Sequence, residues 1–261
     1  MNGCIEVYTG RMVNPAEPKI TDVSIIDIGH ALAHLTRYTG HTQSRRGVYS
    51  VGQHCNILFD YARDRGKPPA TCLKALLHDA GEAYTGEIAS PLKRLCPDLV
   101  KAERGMTTLT YRLTGLVDDD EDTAFVHEID KRIVRDERAS LMGRTDNAWV
   151  TDSLEPLGLG RIAPAPADEV YQGFMSRYAM AAEAHLGRPV YMAPFWGATV
   201  SWSDVPDAKI NDVVECDVLG GVAQVCVRTD DGMLARDLEG GLFPRPKTRW
   251  MNGSFILVGK R

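Results

Sequence analysis

The sequence predicts a mainly α-helical protein with a small C-terminal β-rich appendage, and two patterns carry that reading. Up to about residue 187, apolar residues recur every three or four positions between Ser, Asp and Pro start signals and Gly stops, the period of helices with one buried face. Beyond it, β-rich runs alternate with Gly-Gly, Asp-Gly and Asn-Gly pairs, which favour hairpin turns. We divide the 261 residues into a helical domain, 1–187, with a short extended segment at its start, and a β-rich domain, 188–261. That length suffices to bury a full core.

Cys4-Ile5-Glu6-Val7-Tyr8 reads as a short strand, and Pro15 and Pro18 keep the following lead-in out of helix. A first helix begins near Ser24, with Asp27 three residues on as in a capping box. Ile25, Ile28, Leu32 and Leu35 line its apolar face until Thr39-Gly40, which places Arg37 and Tyr38 at its end. Ser50 and Gln53 open a second helix whose stripe of Val51, Cys55, Leu58, Phe59 and Ala62 stops at Gly66, with His54 in its first turn. Pro68-Pro69 opens a third, where proline is tolerated because the first amide hydrogens have no intrahelical acceptor, and this helix is expected to run to about Tyr84.

Residues 85–93 read as a loop turning into another helix, punctuated by Gly86 and Pro91. Further helices are expected at about 98–115 and 121–142. The latter buries Val126, Ile129, Ile133 and Val134, carries Asp130 beside that face and ends at Gly143. A last long helix, about 167–186, has Asp168 and Glu169 in its first turn and Gly187 at its end, as helix dipole and capping favour. In the β-rich part, 213–218, 223–228 and 255–258 read as strands.

Composition bounds the function. A formal net charge of −5 argues against general affinity for duplex nucleic acid, which needs clustered Lys and Arg against phosphates, but leaves room for a small anionic substrate. Cys4, Cys55, Cys72, Cys96, Cys216 and Cys226 show neither C-x-x-C spacing nor the density of a disulfide scaffold, and read as reduced structural thiols. With no signal-like apolar run at the N-terminus and no stretch that could span a membrane, the expected place is the cytoplasm.

The chemistry concentrates in Leu76-Leu77-His78-Asp79-Ala80-Gly81-Glu82. An imidazole and a carboxylate inside an apolar run lose several kcal/mol on leaving water unless paired or coordinated, which points to a metal. His54 one helix earlier and Asp130 downstream complete a ligand set of His54, His78, Asp79 and Asp130 from separate helices. Such a set suits a borderline divalent ion such as Zn, Co, Mn or Ni, with positions left for water and substrate. A metal there would acidify a bound water and polarise a phosphoryl oxygen. Glu82, four residues after His78 and three after Asp79, shares their face and would serve that water as acid or base without being a ligand.

His54, His78-Asp79 and Asp130 match the H…HD…D pattern of HD-domain phosphohydrolases. The stretch His78-Asp-Ala-Gly-Glu-Ala-Tyr-Thr-Gly-Glu-Ile-Ala-Ser-Pro-Leu-Lys93 closely resembles the bacterial 5'-deoxynucleotidases and is similar to the related phage enzymes that strip triphosphate from dATP. The similarity spans roughly residues 20 to 185, most specifically 49–54 and 78–93. It implies an HD-type helical core with one catalytic metal, Glu82 as the acid/base, Arg37 and Lys93 as phosphate contacts, and Glu87 near the deoxyribose 3'-hydroxyl. Glu87 stands where the nucleotidases have Asp, and Tyr38 where they have Trp, so sugar and base contacts depart from the pattern.

Other features have plainer readings beside the sharp one. His30 and His34 share a face at i, i+4 but lack the Glu of H-E-x-x-H, so packing or capping is favoured over a metal clasp. His127, three residues before Asp130, competes with it as a ligand, and His41, between the two site-bearing helices, reads either as a phosphate contact or as a loop histidine. The run Asp118-Asp119-Asp120-Glu121-Asp122 looks like a chelate, but acidic residues feeding a helix N-terminus are the commoner case.

The leading expectation is metal-dependent hydrolysis of phosphate from deoxynucleotides, as a 5'-deoxynucleotidase or a dNTP triphosphohydrolase, with Mg accompanying a triphosphate. The alternatives are an inactive HD-fold module that senses nucleotides or supports assembly, and a phosphodiesterase on another nucleotide; a homo-oligomer is left open.

Overall fold

A buried wall of Leu32, Leu58, Phe59, Leu73, Leu76, Leu77, Ile129, Ile133, Phe174 and Tyr178, all essentially inaccessible, organises the helices and carries the candidate site on its edge. The structure, a computed structural model, describes residues 3–43, 47–118 and 120–186 and, as backbone, the strand segments 213–218, 223–229, 232–237, 242–245 and 253–256. The described chain is mainly helical.

It opens with a small hairpin, β1 (Ile5–Glu6) antiparallel to β2 (Met12–Val13), with Ile5 opposite Val13. Only the first of these strands is legible from periodicity. The hairpin is tied to α1 (Ile25–His34) through Asp27, buried in that helix, whose carboxylate accepts the Thr9 amide at 2.8 Å and pairs with Arg11 at 2.6 Å. Ser24 caps α1 as the sequence predicts, but its side chain accepts from the Asp27 amide, while the Asp27 carboxylate turns to the hairpin instead of closing a capping box. The helix stops at His34, short of Thr39-Gly40. Arg37–Gly40 form a separate 3₁₀ turn, in which Tyr38 and Thr39 take left-handed φ of 56° and 50°.

Helix α2 (Val51–Asp64) starts where Ser50 accepts the Gln53 amide, and α3 (Pro69–Leu77) starts on its prolines. The expected run to Tyr84 is broken: α3 ends at Leu77, and α4 (Glu82–Thr85) follows a tightened segment in which Ala80, Glu82, Ala83 and Tyr84 donate to carbonyls three residues back. Close packing accounts for the break. A Cβ at Gly81 would lie 2.1 Å from the Glu103 carbonyl oxygen on α6 (Pro97–Leu113), and the Gly81 amide donates to Thr107 Oγ1 at 3.0 Å. Only glycine lets this turn approach α6 so closely.

After α5 (Ser90–Lys93) and α6, Asp120 caps α7 (Glu121–Leu141) by accepting the Thr123 amide at 2.8 Å, so the acidic run is a helix start. α7 ends two residues before Gly143. The carboxylate of Asp136 then receives the amides of Leu157, Gly158 and Leu159, which anchors the returning chain ahead of α8 (Ala167–Leu186). Helices α1, α2 and α3 all pack on α8, and α7 lies against α3 and α2. The expected stop at Gly187 lies outside the described residues.

In the C-terminal segments, β3 (Val213–Val218), β4 (Ala223–Thr229), β5 (Gly232–Asp237), β6 (Leu242–Arg245) and β7 (Gly253–Ile256) pair antiparallel in the order β6-β5-β4-β3-β7. The strand expected at 255–258 is placed two residues earlier, and β5 and β6 had no sequence expectation. Most of the connecting turns lie outside the described residues.

Candidate metal centre

Two imidazoles from neighbouring helices meet at the centre of the site. His54, on the first turn of α2, and His78, just past the end of α3, bring their Nε2 atoms 3.3 Å apart. Asp79 Oδ2 lies 3.3 Å from the His78 Nε2 and 3.9 Å from that of His54, and Asp130 Oδ1 lies 3.1 and 3.7 Å from His54 and His78. Metal–ligand bonds of about 2.0–2.2 Å put neighbouring donors about 2.8–3.6 Å apart in tetrahedral or octahedral shells. These spacings come within a few tenths of that range, so each of these donor pairs is spaced as neighbouring ligands of one divalent ion would be. Among the described residues, His54, His78 and Asp79 form a donor cluster of metal-binding size, with Asp130 at its edge.

The tautomers fit as well. His78 Nδ1–H donates to the Ala75 carbonyl at 2.9 Å, and His54 Nδ1 lies 2.7 Å from Glu137 Oε1, so hydrogen bonds at Nδ1 leave both Nε2 lone pairs turned toward the common point. Burial disfavours a charged His78, yet Asp79 and Asp130 outweigh it and hold its pKa well above the usual imidazole value. The same contacts overcome burial to depress Asp79 to about 2 and Asp130 well below the usual carboxylate range. The cluster thus favours positive charge at the point where its donors converge. Its rim is open, since the Asp130 side chain is 36% exposed while that of His54 is fully buried.

Glu82 does not share a continuous α-helix with His78-Asp79. The tightened 3₁₀-type segment nevertheless eclipses residues three apart, and this keeps Glu82 on the side of Asp79. Burial, reinforced by the Asp79 charge, raises its carboxyl to about 8. Lys93 opposes that rise: its ammonium lies 2.7 Å from Glu82 Oε1 and 2.8 Å from Glu103 Oε1. The lysine expected at phosphate is therefore held between two glutamates.

Arg37 Nε beside the cluster, and Glu82 Oε2 and Glu103 Oε2 on the carboxylates that hold Lys93, are buried without a protein partner among the described residues, as is Glu87 Oε2. Such atoms are costly unless a ligand or water meets them, which fits a substrate pocket. Arg37 reaches Asp79 and Glu137 only at 3.5 Å, and keeps donor capacity to spare. Tyr38 donates its phenol to Glu137 Oε2 and sets its ring 6.1 Å from that of Trp149, tilted by 51°. His41 and His127 are exposed and make none of these contacts, so Asp130 and not His127 joins the cluster. His30 and His34 stack on one another at 4.3 Å, with Tyr8 on the far face of His30, a packing arrangement and not a chelate.

Sequence reading missed Glu137 and Glu103. Glu137 is fully buried on α7 two turns after Asp130, and the only signal for it is a carboxylate four residues after Ile133 on the helix's apolar stripe. Glu103 carries no local signal.

No family model matches the chain. Over 112 residues, 43% of the chain, it is 31% identical to the uncharacterized protein YfdR of Escherichia coli (strain K12), covering 58% of that protein. Over 114 residues, 42% of the chain, it is 33% identical to an uncharacterized protein of Rhodobacter capsulatus, covering 54% of it. The matched stretches span little more than half the length of these curated relatives.

Proposed function

We propose that this chain is a metal-dependent phosphohydrolase of the HD type, acting on 2'-deoxynucleotides as a 5'-deoxynucleotidase or a dNTP triphosphohydrolase. The observation that carries the reading is the convergence of His54, His78, Asp79 and Asp130 on one point, each imidazole turned by a hydrogen bond at its Nδ1, with Glu82 beside them. A divalent ion such as Co, Mn, Zn or Ni at that point would acidify a bound water and polarise a phosphoryl oxygen. Glu82 positions the attacking water and takes its proton, since its raised pKa suits proton transfer near neutrality. Arg37 offers its free Nε to phosphate, and Lys93 meets the same charge once a substrate competes with the glutamates that hold it. Glu87, with its unpartnered Oε2, accepts from the sugar 3'-hydroxyl, and Tyr38 walls the base.

An inactive nucleotide-sensing module is disfavoured by the presence of all four ligand candidates together with Glu82. We read residues 188–261 as a β-rich appendage that supplies no metal ligand, since it contains no histidine and every ligand candidate precedes residue 131. No helix among the described residues is long and apolar enough to cross a membrane, which agrees with a cytoplasmic enzyme acting on small nucleotides. The net charge of −5 favours such substrates over duplex nucleic acid.

A panel assay tests the reading: release of phosphate, pyrophosphate and triphosphate from deoxy- and ribonucleotides with Co, Mn, Zn, Ni or Mg added. We expect metal-dependent release, lost in His54→Ala and Asp79→Ala together with the bound metal. Metal uptake without any release would leave the sensing module as the better reading.

A further inference from the structure

Glu137 is a further carboxylate of the site, and it lies behind the ligand cluster. Its Oε1 accepts from Tyr49 Oη at 2.7 Å and lies 2.7 Å from His54 Nδ1, while its Oε2 accepts from Tyr38 Oη and faces Arg37 Nη2 at 3.5 Å. All four groups come from elements far from α7 in sequence, with separations of 83 to 100 residues.

We propose that Glu137 is a positioning residue joining the two halves of the site: one oxygen fixes the His54 imidazole for a divalent cation, and the other fixes the Arg37–Tyr38 turn for a phosphate-bearing ligand. The inference rests on reading His54, His78, Asp79 and Asp130 as a metal centre. An ionised carboxylate only accepts hydrogen bonds, and here each oxygen faces two donors. A glutamine in its place would point an amide NH₂ at one of those pairs, either reversing the His54 tautomer or releasing Tyr38. The turn needs such a hold. Tyr38 and Thr39 are consecutive non-glycine residues in left-handed backbone, a conformation that persists only where surrounding contacts over-determine it. Among those contacts, the Tyr38 phenol and the Arg37 guanidinium both end on Glu137. One carboxylate therefore reports the state of the substrate turn to a metal ligand.

The test uses full-length metal-free protein titrated with Co(II) alone, read by calorimetry and by the visible absorption of bound cobalt. We expect Glu137→Gln to weaken Co(II) about tenfold to a hundredfold, the usual scale for a partner that orients a ligating histidine, and to move the cobalt band. Glu137→Asp should recover part of both. Tyr38→Phe is the sharper variant, because it removes one hydroxyl that bonds Glu137 and none of the four ligands. It should still shift the cobalt band and weaken inorganic phosphate binding severalfold. Circular dichroism and melting run in parallel, and if Glu137→Gln does not fold, Tyr38→Phe carries the test alone. An unmoved cobalt band with unchanged phosphate affinity in Tyr38→Phe, in protein whose wild type takes up Co(II), would overturn the linkage while leaving the metal centre standing. Wild-type protein that takes up no Co(II) would remove the metal centre, and this inference with it.

Discussion

The Lys93 ammonium lies 2.7 Å from the carboxylate of Glu82. That distance makes Lys93 the cation that holds down a buried acid whose pKa is otherwise driven up by desolvation and by Asp79. If Glu82 works as the base, activity rises with pH through its pKa, and removing Lys93 raises that pKa further. Lys93→Ala should therefore shift the acid limb of kcat to higher pH, beyond any change in KM from lost phosphate contact. A pH profile of kcat measured separately from KM checks this, and a shift to lower pH would contradict it.

Glu82→Gln should keep fold and metal but lose turnover by on the order of a hundredfold or more, the scale of a missing general acid/base. Metal content by elemental analysis, beside single-turnover rates, separates this from the ligand variants. Near-normal turnover would remove Glu82 from the reaction.

The depressed pKa of Glu137 sets a pH dependence of stability. Its carboxyl sits at about 2 in the folded protein against an ordinary glutamate value of 4.5, so its ionised form stabilises the fold above about pH 4.5, and that contribution fades as pH falls toward 2. In metal-free protein, Glu137→Gln should cost most stability near pH 7, with the gap to wild type narrowing between pH 4.5 and 2. Urea unfolding at pH 7 and pH 3 measures it; a gap that widens in acid would be the wrong sign.

Lys74, 1% exposed on α3, reaches the Asp120 carboxylate and Thr123 Oγ1 at the start of the helix that carries Asp130. Asp120→Ala removes a helix cap and strands a buried ammonium at once, for a loss on the order of 3 kcal/mol. Adding Lys74→Met should recover a large part of it, because the buried charge goes with its partner. No recovery in the double variant would mean the loss is the cap alone.

Sugar selection should follow Glu87. A carboxylate that accepts the 3'-hydroxyl is crowded by a 2'-hydroxyl, and a polar group left unpaired costs more than a lost methylene, so discrimination can be large. Comparing kcat/KM for dAMP, AMP, dATP and ATP on wild type and Glu87→Ala decides it. Equal rates on ribo- and deoxyribonucleotides in the wild type would sink the sugar argument.

The sequence by itself determined the features that depend on neighbours along the chain. The Ser50 cap, the proline start of α3, the apolar stripe of α2 and the placing of α7 and α8 were all legible, because caps and helical faces are set by residues at most four positions apart. His54, His78, Asp79 and Asp130, which the structure brings together, also stood out in the sequence, since charged groups set in or beside apolar stripes are locally conspicuous. Only the tertiary structure decided the rest. The break after Leu77 follows from the approach of Gly81 to α6, 22 residues away in sequence, and overrides a pattern that reads as one helix. The approach of Asp130 rather than His127 to the imidazoles, the capture of Lys93 between Glu82 and Glu103, and the seat of Glu137 behind His54 all depend on which faces meet when helices pack. Periodicity says which side of a helix is buried, but not what that side will touch, because the partner is chosen by the packing of segments up to 117 residues apart.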